Sequence, residues 1–133
     1  MPADPEAVNL RVPFQAPSAS VVRRELLTWL SSRGFTEETI DDARVVVSEL
    51  VGNSVRHAAP LPVNDIAVSW SLDDGDLVIS VSDGGSPDTA PTPVEANEGA
   101  ISGRGLSIVE ALVKRWWVED SHGRCTVHVR IPL

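Results

Sequence analysis

The tightest constraint in the sequence is a strict two-residue alternation that occurs twice in succession. Ile66, Val68, Trp70 and Leu72 alternate with Ala67, Ser69 and Ser71, and Leu77, Ile79 and Val81 alternate with Val78, Ser80 and Ser82. A period of two puts every second side chain on one face of an extended strand, so each segment presents one apolar face and one of smaller residues. Asp73-Asp74-Gly75-Asp76 between them has the residues of a tight turn, which predicts an antiparallel hairpin. Such a hairpin needs a partner layer to bury its apolar face.

Two segments with helical spacing precede it. Ser18 offers a cap for a helix through about Arg33, with Val22, Leu26, Leu27, Trp29 and Leu30 as its apolar stripe and Gly34 as its stop. Thr36 offers a second cap, and Glu37 and Glu38 suit the positive end of a helix dipole. Ile40, Ala43, Val47, Leu50, Val51 and Ser54 then recur at helical spacing to about Ala58, before Pro60 and Pro62. A short strand near Asn9 to Phe14 is expected at a sheet edge, because Pro13 cannot donate to a ladder. Leu106, Ile108, Val109, Leu112 and Val113 predict a third helix, and Trp116 to Asp120 with Cys125 to Ile131 a second hairpin across Ser121-His122-Gly123-Arg124. The expected fold is an α/β (α+β) two-layer sandwich, with helices on one face of a mixed, largely antiparallel sheet.

A length of 133 residues suits one domain. Residues 1–8 read as a flexible lead-in and 9–133 as a single domain. Ser86 to Ser102 carries Pro87, Pro91, Pro93 and Gly99 with neither periodicity, and its place between two glycine clusters predicts a lid over about 86–102. The single cysteine, Cys125, excludes an internal disulfide framework and suits the cytoplasm. No stretch approaches the roughly 18 apolar residues of a membrane span, and the N-terminus lacks a basic start followed by an apolar run. The net charge of −8 repels phosphate backbones, so no direct nucleic-acid partner is expected.

Three clusters carry chemistry, and their order along the chain is more informative than any one of them. Glu49 and Asn53 stand four apart on one helical face, and His57 extends the row by a turn, as a packing residue or a support to a bound nucleotide. Asn53 offers the hard oxygen that magnesium takes alongside nucleotide phosphates, and Glu49 is placed to accept the proton of an attacking hydroxyl or water. Asp83 shares the parity of Leu77, Ile79 and Val81, so its carboxylate is expected to turn inward and to need a donor, for which the amine of adenine is suitable. Gly85 beside it would let backbone approach a purine closely. Gly103, Arg104, Gly105 and Leu106 open the third helix, where unpaired amides favour an anion such as a triphosphate. Taken singly, these are equally a solvated helix face, a strand-ending Asp and a flexible hinge. As an ordered set they point to an ATP site.

That order, with SELVGNSVRHA around Glu49 and GRGLSIVEAL from Gly103, resembles the Bergerat-fold ATPases shared by gyrase-type topoisomerases and sensor histidine kinases. It is most similar to the small anti-sigma factor serine/threonine kinases, from about Phe14 to the C-terminus. The resemblance implies ATP and Mg2+ as cofactors, base recognition by Asp83 with an ordered water, and transfer of the terminal phosphate to a Ser or Thr of an anti-sigma factor antagonist. It also implies a sigma factor as second partner, and a homodimer. Two departures from the family pattern bear on catalysis more than on the fold. The family's Asp-x-Gly-x-Gly ends here in Pro87, and no Lys or Arg lies between Asp83 and Gly103 while Asp88, Glu95 and Glu98 add negative charge. They motivate an alternative, a non-catalytic or nucleotide-gated module that sequesters its partner. A histidine-kinase-type catalytic domain acting in trans is the third reading.

Overall fold

The computed structural model describes residues 7–85 and 107–132. In chain order the elements are β1 (Val8–Pro13), α1 (Ser18–Ser31), α2 (Glu37–His57), β2 (Asp65–Asp73), β3 (Asp76–Asp83), α3 (Ser107–Leu112), β4 (Arg115–Ser121) and β5 (Arg124–Pro132). The strands form one five-stranded sheet in the order β1-β2-β3-β5-β4, and all four described pairings are antiparallel. The expected two-layer sandwich is therefore present, with β1 at an edge as Pro13 requires.

Register explains why one face is dry. Leu10, Val68, Val81, Val127 and Val118 lie opposite one another across the five strands, and Val8, Trp70, Ile79, Val129 and Trp116 form the adjacent row. Against these rows α1 and α2 bury Val22, Leu26, Leu30, Val46, Val47, Leu50 and Val51. Each such side chain contributes about 1.5–3 kcal/mol by leaving water. Trp29 of α1 meets Trp70 of β2 edge to face, with ring centroids 6.5 Å apart.

The opposite face is polar but closely joined. Ser80 bonds Nδ1 of His128 at 2.6 Å, Ser82 bonds Thr126 at 2.7 Å, and the His128 ring stacks on Trp117.

Both hairpins turn on two residues with positive φ, Asp74 and Gly75 at 52° and 84°, His122 and Gly123 at 52° and 76°. These are the signs a type I′ turn needs.

One cap differs from expectation. Thr36 does cap α2, accepting from Thr39 N at 3.3 Å, but Ser18 does not cap α1. Pro17 precedes that helix without a side-chain cap, while Ser18, 1 % exposed, donates through Oγ to the Pro13 carbonyl at 2.6 Å. The chain turns so sharply after β1 that this hydroxyl is carried inward onto the strand end, where it bonds the Pro13 carbonyl instead of a helix amide. α1 also stops at Ser31, short of Arg33. The expected lid, together with Gly103, Arg104, Gly105 and Leu106, lies outside the described residues.

Candidate functional site

The last two turns of α2 pass over the end of β3, because the apolar face of this helix, read from Ala43 to Val51, continues into Asn53 and Ser54. Helical geometry thus carries two polar side chains into the interior, where Asn53 is 4 % and Ser54 5 % exposed. Glu49 is half-buried and His57 exposed. The predicted row therefore divides, with its amide inside and its histidine in solvent.

Asp83 turns inward as its parity predicts and is 6 % exposed. A carboxylate so buried must be met by donors. Ser54 donates its hydroxyl to Oδ2 at 2.5 Å, and the Gly85 amide donates to Oδ1 at 2.8 Å. The segment after α2 closes the arrangement, Gly84 N donating to Ala59 O at 2.7 Å and Ala59 N to Gly85 O at 2.8 Å. The tightest steric demand falls on Gly84, whose added Cβ would lie 2.2 Å from the Pro60 carbonyl oxygen. Gly85 is required for conformation, with φ at +81°.

At the same end of the sheet Arg11 donates to both oxygens of Asp65, at 2.6 and 3.0 Å. These hydrogen bonds hold the Asp65 carboxyl below its ordinary range, against an opposing contribution from burial. Asp65 O in turn accepts from Leu61 N, so the ion pair anchors the loop that contacts Gly84.

Glu49 borders a cavity of about 340 Å³ lined also by Arg23, Arg44, Val45 and Ser48. Arg23 reaches from α1 to donate to Ser48 Oγ at 3.2 Å. The structure thus joins Ser54 to Asp83 between α2 and β3, buries the adjacent Asn53, and sets Glu49 on an open, positively flanked groove. Sequence reasoning missed Ser54, Arg23, Arg44 and Ser48 as members of this region. Ser54 sits directly after Asn53, which was a usable signal; the two arginines depend on how α1 packs beside α2.

The Asn53 side chain suits magnesium. Asn53 Oδ1 is buried and has no hydrogen-bond partner among the described residues. That is a hard oxygen in want of a cation or donor, and it fits the ion's preference. Among the described residues no group of three or more His, Cys, Asp or Glu side chains is placed to hold a metal, so Asn53 would act together with nucleotide phosphates. No helix of the described residues is long and apolar enough to cross a membrane.

Comparison with known proteins bears on these features. Residues 12–131 match the histidine kinase-like ATPase domain family. The chain is similar to the serine-protein kinase RsbW of Listeria innocua, 31 % identical over 119 residues that span 81 % of this chain and 76 % of the relative. It is also similar to RsbW of Bacillus cereus, 29 % identical over 80 residues, 60 % of this chain and 50 % of the relative. Among solved structures, the RsbU and RsbW domains of a Mycobacterium tuberculosis protein superpose with a TM-score of 0.75 at 26 % identity, over 98 % of this chain. The match spans 33 % of that solved chain.

Proposed function

The chain belongs to the histidine kinase-like ATPase domain family, and from that membership we propose that it is a cytoplasmic, ATP-dependent serine/threonine protein kinase of the anti-sigma factor type. The observation that carries the reading is the pairing of a buried, donor-held carboxylate at Asp83 with a buried, unpartnered amide oxygen at Asn53. One end suits the amine of a purine and the other the cation of its phosphates.

In this scheme Asp83 accepts from the adenine amine and Asn53 holds magnesium. That ion, when bound, supplies charge neutralisation along the phosphates. Glu49 accepts the proton of the acceptor Ser or Thr hydroxyl as its oxygen bonds the terminal phosphorus and ADP leaves. The groove beside Glu49, with Arg23 and Arg44 on its walls, is where the acceptor segment approaches. By the same reading Gly103, Arg104, Gly105 and Leu106 would meet the phosphates, and the exposed His57 would support the bound nucleotide. The protein partners are a sigma factor, held inactive, and an antagonist that receives the phosphate; two copies of the chain form the working unit.

The test mixes the purified chain with magnesium, terminally labelled ATP and a candidate antagonist protein. Label is expected on Ser or Thr of the antagonist, and Glu49→Gln should abolish transfer while binding ATP within about twofold of wild type. Nucleotide binding without transfer by the wild type, to an antagonist that binds the chain, would replace the kinase reading with that of a sequestering module.

A further inference from the structure

Among the contacts of the buried carboxylate are two donors of different kinds. The Gly85 amide, on Oδ1, belongs to the backbone and is present whatever the side chain. The Ser54 hydroxyl, on Oδ2 at 2.5 Å, is a side-chain choice made on another element 29 positions away. One donor on each oxygen fixes the rotation of the carboxylate plane, which a single donor would leave free to swing. Because both groups are buried, at 5 % and 6 % exposure, water is a poor substitute for the hydroxyl.

We propose that Ser54 is a positioning residue for base recognition: by donating to Oδ2 it aims the Asp83 carboxylate so that it accepts from the 6-amino group of a purine. The inference rests on the nucleotide reading above and deepens it. An ionised carboxylate is an acceptor only, with roughly four lone-pair directions, and the Ser54 and Gly85 donors orient those directions. They define which direction meets the ligand. Ser54 also follows Asn53 directly, so a single turn of α2 sets both the cation-directed amide and the base-directed carboxylate. Small displacements of this turn would be felt at both ends of the nucleotide.

The inference predicts a loss specific to the amine. Affinities of the whole chain for ATP and for purine riboside triphosphate, which lacks the 6-amino group, are measured by calorimetry in magnesium for the wild type, Ser54→Ala and Ser54→Thr. The wild type is expected to prefer ATP by about tenfold or more, the worth of a hydrogen bond to a charged group. Ser54→Ala should bind ATP about tenfold more weakly, bind the analogue within about twofold of wild type, and so lose most of the preference. Ser54→Thr, which retains the hydroxyl, should restore it. Circular dichroism and thermal melting verify that the variants fold, and the ratio of the two affinities is itself insensitive to a general loss of folded protein. An equal fall for both ligands, or an unchanged preference in Ser54→Ala, would overturn the inference and leave Ser54 a tie between α2 and β3. A wild type with no preference for ATP would overturn the Asp83 reading and this inference with it.

Discussion

Asn53 presents an unusual balance for a buried side chain. Its Oδ1 is buried without a partner among the described residues, a cost that a bound cation or donor would relieve. Asn53→Ala should therefore change folding stability by less than about 1 kcal/mol, where deleting a satisfied buried partner typically costs about 1–3 kcal/mol. The same substitution should remove the magnesium-dependent part of ATP affinity and spare the part seen in EDTA. Urea unfolding and ATP titrations with and without magnesium measure the two effects. A large stability loss with unchanged magnesium dependence would assign Asn53 to packing.

At the scale of elements, the site is held by contacts between segments that are remote in sequence. Gly84→Ala would drive a Cβ into the Pro60 carbonyl, and the overlap is with backbone on a loop whose other end is tied through Leu61 and Asp65. A loss of about 1–3 kcal/mol is expected in urea unfolding, together with weakened nucleotide binding, because Asp83 and Gly85 must shift with it. The Arg11–Asp65 pair that joins β1 to β2 makes a pH prediction. Asp65 is lowered from 3.8, so its contribution is present above that value and is lost as pH falls through the lower folded-state value. Asp65→Asn should flatten the acid side of the stability profile, as read from urea midpoints at successive pH values. These contacts mark the limit of what the sequence discloses. Parity along β3 was enough to foresee that Asp83 points inward, and the paired turn residues were enough to place both hairpins. Ser54 looked like a filler on an apolar stripe, because its partner is fixed only when α2 crosses the end of β3. Ser18 looked like a cap for the opposite reason: the local pattern was right and the turn after β1 overrode it. Gly85 read as room for close backbone approach, whereas the fold asks space of its neighbour Gly84 and a positive φ of Gly85 itself.

For the molecule as a whole, one helix layer on one five-stranded sheet makes a core in which the proposed nucleotide residues Asn53 and Asp83 sit at a margin and not at the centre. Binding there should tighten the whole chain by linkage. ATP with magnesium at about 100 times its dissociation constant is expected to raise unfolding free energy by about 2.7 kcal/mol, and thermal melting with increasing ATP measures it. No shift at such occupancy would mean the folded state has no preferential affinity for the nucleotide. The direction of β3 has a practical corollary. Its eight residues run from Asp76 to Asp83, so the solvent-facing Asp74-Gly75 bend is separated from the carboxylate by the strand's full length, about 25 Å at roughly 3.3 Å per residue. A fluorophore or epitope spliced into that bend would report on tumbling and complex formation in real time while standing clear of the chemistry.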